Sequence, residues 1–594
     1  MNREWIIASD YGASGSEKTV TGKIKKGSCV MQVESTEDFA AGQGITAEGC
    51  FFHTYGTIYN DKKPYLAANQ KALKDEMEIE GIRNEKFHQV FLIHFWEENV
   101  YSWMAVDPKY QHGITYEPFY WNQWQWQGEK IPVTDGWVDL LDGVRIRFRK
   151  TTGWLKGSSI SFHARNRLRA KIVKVERNKL ILDHAANVSC ETSLVKHEDN
   201  EALQTALDAA IEQRKPLYIP AGRYRLDDGL WIRNASVRIE GADRVHTILD
   251  VSEAHTACFW ISCGREVIIR NLRMEGHTGY LELHTNGSWR TASGFPFWPC
   301  ANQQMEVYGC AAVNAVSTEY MLFEDLDITR MASEAIYLHG SDRQGKKAFI
   351  QQPHEGLPGL EKQFQKTCII NRCNGYDTAF NLFNNNDHAE NTIVTNCRGE
   401  KMGNFCENAA EFSRFTNNYC CDCTCLTICS HGLAIVTDNV FEGGKRGFGV
   451  LVHGNKAVIS NNIFRKFSKS AAIDIHARGP VSVTGNVIDL SRDENADTPD
   501  NLREGIAIYQ GQNAVIADNQ IIVDGPAKSE TTGIMIGNVE NVNIHDNMIE
   551  NCTYGFRCGY REWDSDRKEW IWKDIDIERP GLKMRDNTLI NCKQ

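Results

Sequence analysis

The chain has 594 residues, 24% charged and 42% hydrophobic, a balance that fits a folded protein and excludes wholesale disorder. Its net charge of -11 argues against a nucleic-acid partner, and no apolar run reaches the roughly 18 residues that span a bilayer. Length alone suggests about four domains, unless a repeat lets the chain grow without enlarging one core.

The chain opens with MNREWIIASDYGAS, which has neither a basic n-region nor an apolar h-region. With an odd count of 19 cysteines, this predicts reduced thiols and a cytoplasmic protein, not a disulfide framework. Residues 1–14 read as a first strand and turn. Residues 15–196 have a different texture and read as an inserted, β-rich, Trp-rich domain. SCVMQVESTEDFAAGQGITAEG (28–49) alternates as strands about a turn, and QKALKDEMEIEGI (70–82) reads as a short helix. WQGEKIPVTDGWVDLLDGVRIRF (126–148) reads as strand, turn and strand. Six of 15 tryptophans fall between Trp96 and Trp137: Trp96, Trp103, Trp121, Trp124, Trp126 and Trp137. Most suit the core of a small β domain. YWNQWQW (120–126) is the best candidate for an exposed aromatic surface, of the kind that stacks on sugar rings.

From His197 the text is HEDNEALQTALDAAIEQRKPLYIPAGRYRL. Asp199 or Asn200 caps a helix with an apolar stripe of Leu203, Leu207 and Ile211, and strand, turn and strand follow Pro216. From about residue 265 onward an alternating apolar strand ending in an asparagine turn recurs, at Asn271, Asn371, Asn396, Asn418, Asn439, Asn462, Asn486, Asn519, Asn547 and Asn587. From Asn371 to Asn486 the steps are 25, 22, 21, 23 and 24 residues, the mark of a β-solenoid. Asparagine suits the turn because it tolerates the left-handed backbone and its amide reaches the amide one coil away, about 4.8 Å.

A second strand per coil lies between these phrases, and alternation assigns its faces. Ile336, Leu338, Phe380, Leu382, Ala410, Phe412, Leu426, Ile428, Ile473 and Ile475 are expected inside. Tyr337, His339, Asn381, Phe383, Glu411, Ser413, Thr427, Cys429, Asp474 and His476 are expected outside, as a face rich in hydrogen-bonding groups. In YCCDCTCLTIC (419–429) the cysteine spacing lacks the paired C-x₂-C of zinc sites, so these thiols, with Cys373 and Cys420, read as core filling; no metal is expected.

DYGAS, then LQTALDAA and LYIPAGRYRL, resembles the pectate-lyase-like right-handed parallel β-helix superfamily, over residues 5–14 and about 197–594. The resemblance implies an all-β solenoid with an N-terminal capping helix. The superfamily includes glycoside hydrolases, polysaccharide lyases and phage tailspike depolymerases, so the likeness is specific for fold and weak for reaction. Neither the clustered aspartates of polygalacturonases nor the DPHE-type motif of alginate epimerases is present.

Within residues 197–594, expected to be the catalytic domain, two long insertions interrupt the repeat at 277–304 and 341–365, and loops on a rigid scaffold usually carry function. Trp289 and Trp298 in the first would line a cleft. Glycosidic hydrolysis needs two carboxyls, and Glu411, Asp377, Glu407 and Asp387 lie nearby, with Glu334 one coil earlier. If the coils are in register, Asp377 and Glu407 stand on adjacent rungs and Glu411 on the outward strand, the best single candidate. Tyr337, His339, Asn381, Asn384, Arg414 and His431 are candidate substrate partners. The expected function is a glycoside hydrolase acting on an oligo- or polysaccharide, with no cofactor and no membrane partner. A uronate lyase is the first alternative, and a non-catalytic glycan-binding module the second.

Overall fold

Each repeat unit holds three short strands, and the asparagine phrase marks the bend between the first two. The computed structural model describes residues 5–53, 56–60, 77–81, 89–105, 127–140, 143–156, 158–254, 256–276, 311–331, 334–339, 365–378, 382–385, 389–408, 410–423, 425–429, 431–442, 449–466, 470–477, 479–491, 503–524, 529–564, 569–575 and 580–593. In one coil the strands are Ala389–Thr395 on the first face, Arg398–Met402 on the second and Asn404–Asn408 on the third. Each pairs in parallel with its counterpart one coil on, Phe412–Thr416, Tyr419–Cys421 and Cys425–Cys429. Strands of the first two faces join in one 25-stranded sheet; the third face is a 13-stranded sheet, closed by an antiparallel hairpin of Tyr554–Asp564 and Glu569–Asp574. The protein is a three-sided parallel β-helix. One apolar core fills it from Ile6 to Cys558.

The bend carries a buried ladder. Asn418, Asn439, Asn462, Asn486, Asn519, Asn547 and Asn587 each accept or donate to the next, with Nδ2–Oδ1 distances of 2.9–3.0 Å. The left-handed residue is the one before: Asn417, Asp438, Asn461, Gly485, Asp518, Asp546 and Asp586 have φ between 54° and 67°. The expected αL asparagine is thus one position upstream of the ladder, because the ladder side chain must turn inward while the residue before it absorbs the bend. Asn396 is itself left-handed, and Asn371 precedes left-handed Arg372, so the ladder slot in those two coils holds Cys397 and Cys373. Cys397 N–H still donates to Asn418 Oδ1 at 2.9 Å. The core reading of the cysteines holds for Cys373 and Cys420, both fully buried, although Cys420 sits opposite Phe441 on the second face rather than in the ladder slot. Burial pushes the Cys429 thiol up to about 12.

The entry strand Ile6–Ile7 pairs with Leu217–Tyr218, so the chain begins in the solenoid and returns to it about 200 residues later. Between them lie a 10-stranded and a 3-stranded sheet with two apolar cores of their own. Trp103 and Trp154 are buried in one of these cores, whereas Trp96 is exposed; Trp121, Trp124 and Trp126 lie outside the described residues. Met77–Glu80 is a strand, not the end of a helix. Its MEIE alternation puts Glu78 and Glu80 across from Arg147 and Arg145, and these pairs hold it in a sheet. The last strand before the solenoid, Cys190–Glu198, runs two residues past 196. The capping helix is Asn200–Gln213, and its buried stripe includes Leu203 and Leu207 as expected. Asp199 stands at its N-cap position, but its carboxylate accepts the backbone N–H groups of Ser14 and Gly15 and thereby ties the entry turn to the helix. Among the described residues no helix is long and apolar enough to cross a membrane.

Candidate functional site

Outward side chains on the first two faces meet solvent: Tyr376, Val458, Ile463, Val487 and Val515 are more than a third exposed. The third face differs. Its outward column runs rung by rung through Trp231, Trp260, Asn314, Tyr337, Asn384, Glu407, Ile428, Leu451, Asp474, Ala507, Met535 and Arg557. Here Trp260, Asn314, Tyr337, Asn384 and Asp474 are all buried, and Glu407 half-buried. Burying polar groups outside the solenoid core costs free energy unless they are bonded, so their concentration on one column makes it the candidate site. The two long insertions lie almost wholly outside the described residues; the described strands Val313–Val316 and Ile336–His339 of this face follow the first and precede the second.

At one end of the column Trp231 and Trp260 stack at 5.6 Å, and the Trp260 indole donates to Thr256 Oγ1 at 3.1 Å. In the middle, Asn384 Nδ2 donates to Glu334 Oε1 at 2.8 Å. Glu334, just before the Tyr337 strand, is 3% exposed. Asn384 Oδ1 is buried and has no hydrogen-bond partner. Asn384 therefore stands between two carboxyls, bonded to Glu334 on one side and next to Glu407 on the following rung.

Further along is a second cluster. His453, His476 and Tyr509 stack in series, with centroids 5.0 and 5.1 Å apart. Tyr509 donates to Glu504 Oε2 at 2.9 Å, and His476 Nε2 makes an ion-pair approach of 3.0 Å to Asp474 Oδ1. Burial, then the neighbouring His476, lowers the His453 pKa.

The expected residues divide. Tyr337, Asn384 and Glu407 come together in the column, and Ile336, Leu338, Ile473 and Ile475 point into the core as the alternation predicts. Asp377 and Glu407 do not share a register. Asp377 ends a second-face strand in a left-handed turn, between Tyr376 and Thr378, which pair with Glu400 and Met402; it therefore neighbours Lys401. Glu411 is not on the third-face strand, which ends at Asn408; it lies in the corner before the first face, its N–H bonded to Ala389 O. Phe412 and Arg414 then point outward on the first face, Ser413 and Phe415 inward, and Arg414 is exposed. His431 is exposed in the corner one coil on. Phe383, Thr427 and Cys429 are buried and turn inward, reversing the expected phase in those coils. The cause is the corner: from the ladder slot to the outward column the separations are 11, 10, 10, 12 and 12 residues at Asn384, Glu407, Ile428, Leu451 and Asp474, so strands of three to five residues cannot fix their own phase. His339 lies on the strand paired with Val316. Trp289, Trp298, Asn381 and Asp387 lie outside the described residues. His453, Tyr509 and Glu504 are not among the expected site residues; Asp474 is expected only as an outward residue and Glu334 only as a carboxyl one coil before the others. A signal existed: in FGVLVHG, AAIDIHA and GIAIYQG the last outward place is His, His and Tyr.

Among known proteins, a family model described as "Right handed beta helix region" matches residues 430–594. No curated protein matches the chain by sequence. The solved structures it is similar to include the bacteriophage Phi29 gene product 12 N-terminal fragment, at 13% identity and TM-score 0.44, covering 60% of this chain and 61% of that one. Another is the catalytic domain of a GH87 alpha-1,3-glucanase in complex with nigerose, at 10% identity and TM-score 0.40, covering 93% and 95%. A third is DFA-IIIase from Arthrobacter chlorophenolicus A6, at 13% and 0.38, covering 60% and 91%. These likenesses are distant and carry no residue role to this chain. By its strands and its matched repeat region, the chain folds as a right-handed parallel β-helix.

Proposed function

We propose that the chain is a glycan-acting enzyme that hydrolyses a glycosidic bond on the third face of the solenoid, with Glu334 and Glu407 as its carboxyl pair. The observation that carries this is the buried outward stripe in which Asn384 separates those two carboxyls. In this reading Glu334, held by the Asn384 amide, serves as the base. Glu407 then gives its proton to the glycosidic oxygen as the C–O bond breaks, and Glu334 takes a proton from the water whose oxygen bonds to the anomeric carbon. Direct displacement by that water inverts the anomeric carbon. The stacked Trp231 and Trp260 extend the stripe with apolar surface suited to sugar rings. On this reading residues 15–196 are a separate inserted unit, and Glu411 and His431 flank the stripe at its corner.

The test is incubation with a panel of neutral and uronate glycans, following both reducing ends and the absorbance of unsaturated products. Reducing ends without new absorbance, lost in Glu407→Gln and Glu334→Gln, support hydrolysis. New absorbance selects a lyase, and binding without either product selects a non-catalytic module.

A further inference from the structure

The second cluster on the third face has no part in that cleavage, yet it has the marks of a ligand-contacting site. Asp474 is 3% exposed, and its side chain projects from the outward side of the solenoid, in the same column as Glu407. A carboxylate buried there should have its oxygens satisfied. Oδ1 instead has no hydrogen-bond partner, although His476 Nε2 approaches it to 3.0 Å as an ion pair. The ring stack explains what the cluster can offer. Both faces of His476 are covered, by His453 at 5.0 Å and Tyr509 at 5.1 Å, so it has no face left for a sugar ring and meets a ligand only through its edge. The Tyr509 hydroxyl spends its proton on Glu504, 4% exposed, which leaves the phenol oxygen as an acceptor. Asp474, Glu504 and Tyr509 thus form an acceptor-rich edge. Such an edge takes O–H donors and repels a carboxylate; Arg503, next to Glu504 in the chain, is fully buried.

We propose that Asp474, with His476 and Tyr509, is a second saccharide-contacting subsite that takes hydroxyl donors of a neutral glycan. It lies three rungs, about 14 Å, from Glu407 along one column, so one extended chain engages both. Asn384 Oδ1, a buried acceptor of the column without a hydrogen bond, meets the same chain nearer the carboxyl pair. The inference rests on the glycan reading above and adds the substrate class: uncharged at this subsite.

Isothermal titration of the full chain with cello-, laminari- and maltohexaose, and with hexamers of galacturonate and mannuronate, tests it. Glu407→Gln serves as background so that no ligand is consumed. At least one neutral hexaose is expected to bind about tenfold or more tighter than either uronate. Asp474→Ala is expected to weaken that neutral hexaose about tenfold, and Asp474→Asn, which keeps one acceptor oxygen, to retain most of the affinity while narrowing the gap to the uronates. Circular dichroism melting of each variant separates lost binding from lost fold, and Asp474→Asn carries the test if the alanine variant does not fold. Wild-type affinity in both Asp474 variants, or a preference for uronates, overturns this inference and leaves the cleavage reading standing. Absence of binding to every glycan overturns both.

Discussion

The first and third faces of the solenoid are built from the same kind of short parallel strand, yet their outer surfaces behave differently. On the first face the outward places of one coil hold Phe412 and Arg414, and Arg414 is exposed. On the third face the preceding coil presents Glu407, half-buried, and the coil before that Asn384, which is buried with one amide oxygen unpartnered. Inward residues of both faces feed one core, so stability does not distinguish them. What distinguishes them is the cost of burying polar groups outside the core. A surface strand avoids that cost by facing water, and the third face does not. The largest expected effect follows: Glu407→Gln lowers turnover about 10²–10⁴-fold, the range for removing a positioned acid or base, while the melting temperature stays near wild type. Measuring the anomer released first, by proton NMR, sharpens the point, because direct displacement by water predicts inversion. Near wild-type turnover in Glu407→Gln would remove the functional difference between the faces.

The asparagine ladder supplies the converse case, a buried polar column inside the core with every partner supplied. Asn462 Oδ1 accepts from the N–H and Nδ2 of Asn439 at 3.0 and 2.9 Å, and its Nδ2 donates to Val436 O and Asn486 Oδ1 at 2.9 and 3.0 Å. Asn462→Ala removes all four bonds and leaves the buried Asn439 N–H without an acceptor. It is expected to destabilise the protein by about 2–4 kcal/mol in denaturant unfolding, with the chemistry of the folded fraction unchanged. Cys397, in the same slot, donates its thiol to Thr395 O and Ile370 O at 3.1 and 3.5 Å, weaker bonds than the amides make, so Cys397→Ala costs less.

These columns also explain which parts of the molecule are legible in the sequence. The ladder repeats at a nearly constant period because the bend geometry is the same in every coil, so the solenoid, its capping helix and the core thiols can be read directly. The third face follows a corner whose length changes by up to two residues, and one residue reverses inside and outside. That is why Phe383, Thr427 and Cys429 turn in and Glu411 falls in the corner, while Tyr337 and Asp474 stay as expected. Glu334 is legible as a nearby carboxyl, but its bond to Asn384 is not, because the two are 50 residues apart and only the coil register brings them together.

The junction with residues 15–196 holds a third class of buried carboxylate, one with a cation beside it. Glu198 is fully buried, 3.3 Å from Arg169, and burial pushes its pKa up to about 7. A carboxyl raised in the folded state contributes most below its unfolded value of about 4.5, and that contribution is lost as pH rises through about 7. Asp199, pushed up to about 6 by burial, runs the same way; His197, lowered by burial to about 4, runs opposite and loses its contribution as pH falls through about 4. Both are common to wild type and Glu198→Gln and cancel in the difference. Unfolding curves at pH 4.5 and 7.5 should therefore show the variant gaining on wild type by roughly 2–3 kcal/mol as pH rises, at about 1.4 kcal/mol per pKa unit. A constant difference across that range would mean that Glu198 is ionised throughout.

The smallest expected effect tests the first face itself. Arg414 carries the charge and fork geometry of a substrate-holding residue, but it projects into solvent with its guanidinium 5.7 Å from the Phe412 ring centre. An exposed contact of that kind is worth about 0.5 kcal/mol, and nothing on its side of the coil corresponds to the buried polar stripe. Arg414→Ala is therefore expected to keep turnover and KM within about twofold of wild type and stability within about 0.5 kcal/mol. A tenfold rise in KM would show that the ligand wraps around the corner at Glu411 onto the first face. The contrast between the faces would then mark one edge of a wider site, and Glu411, standing at that corner, would return as a residue in contact with substrate.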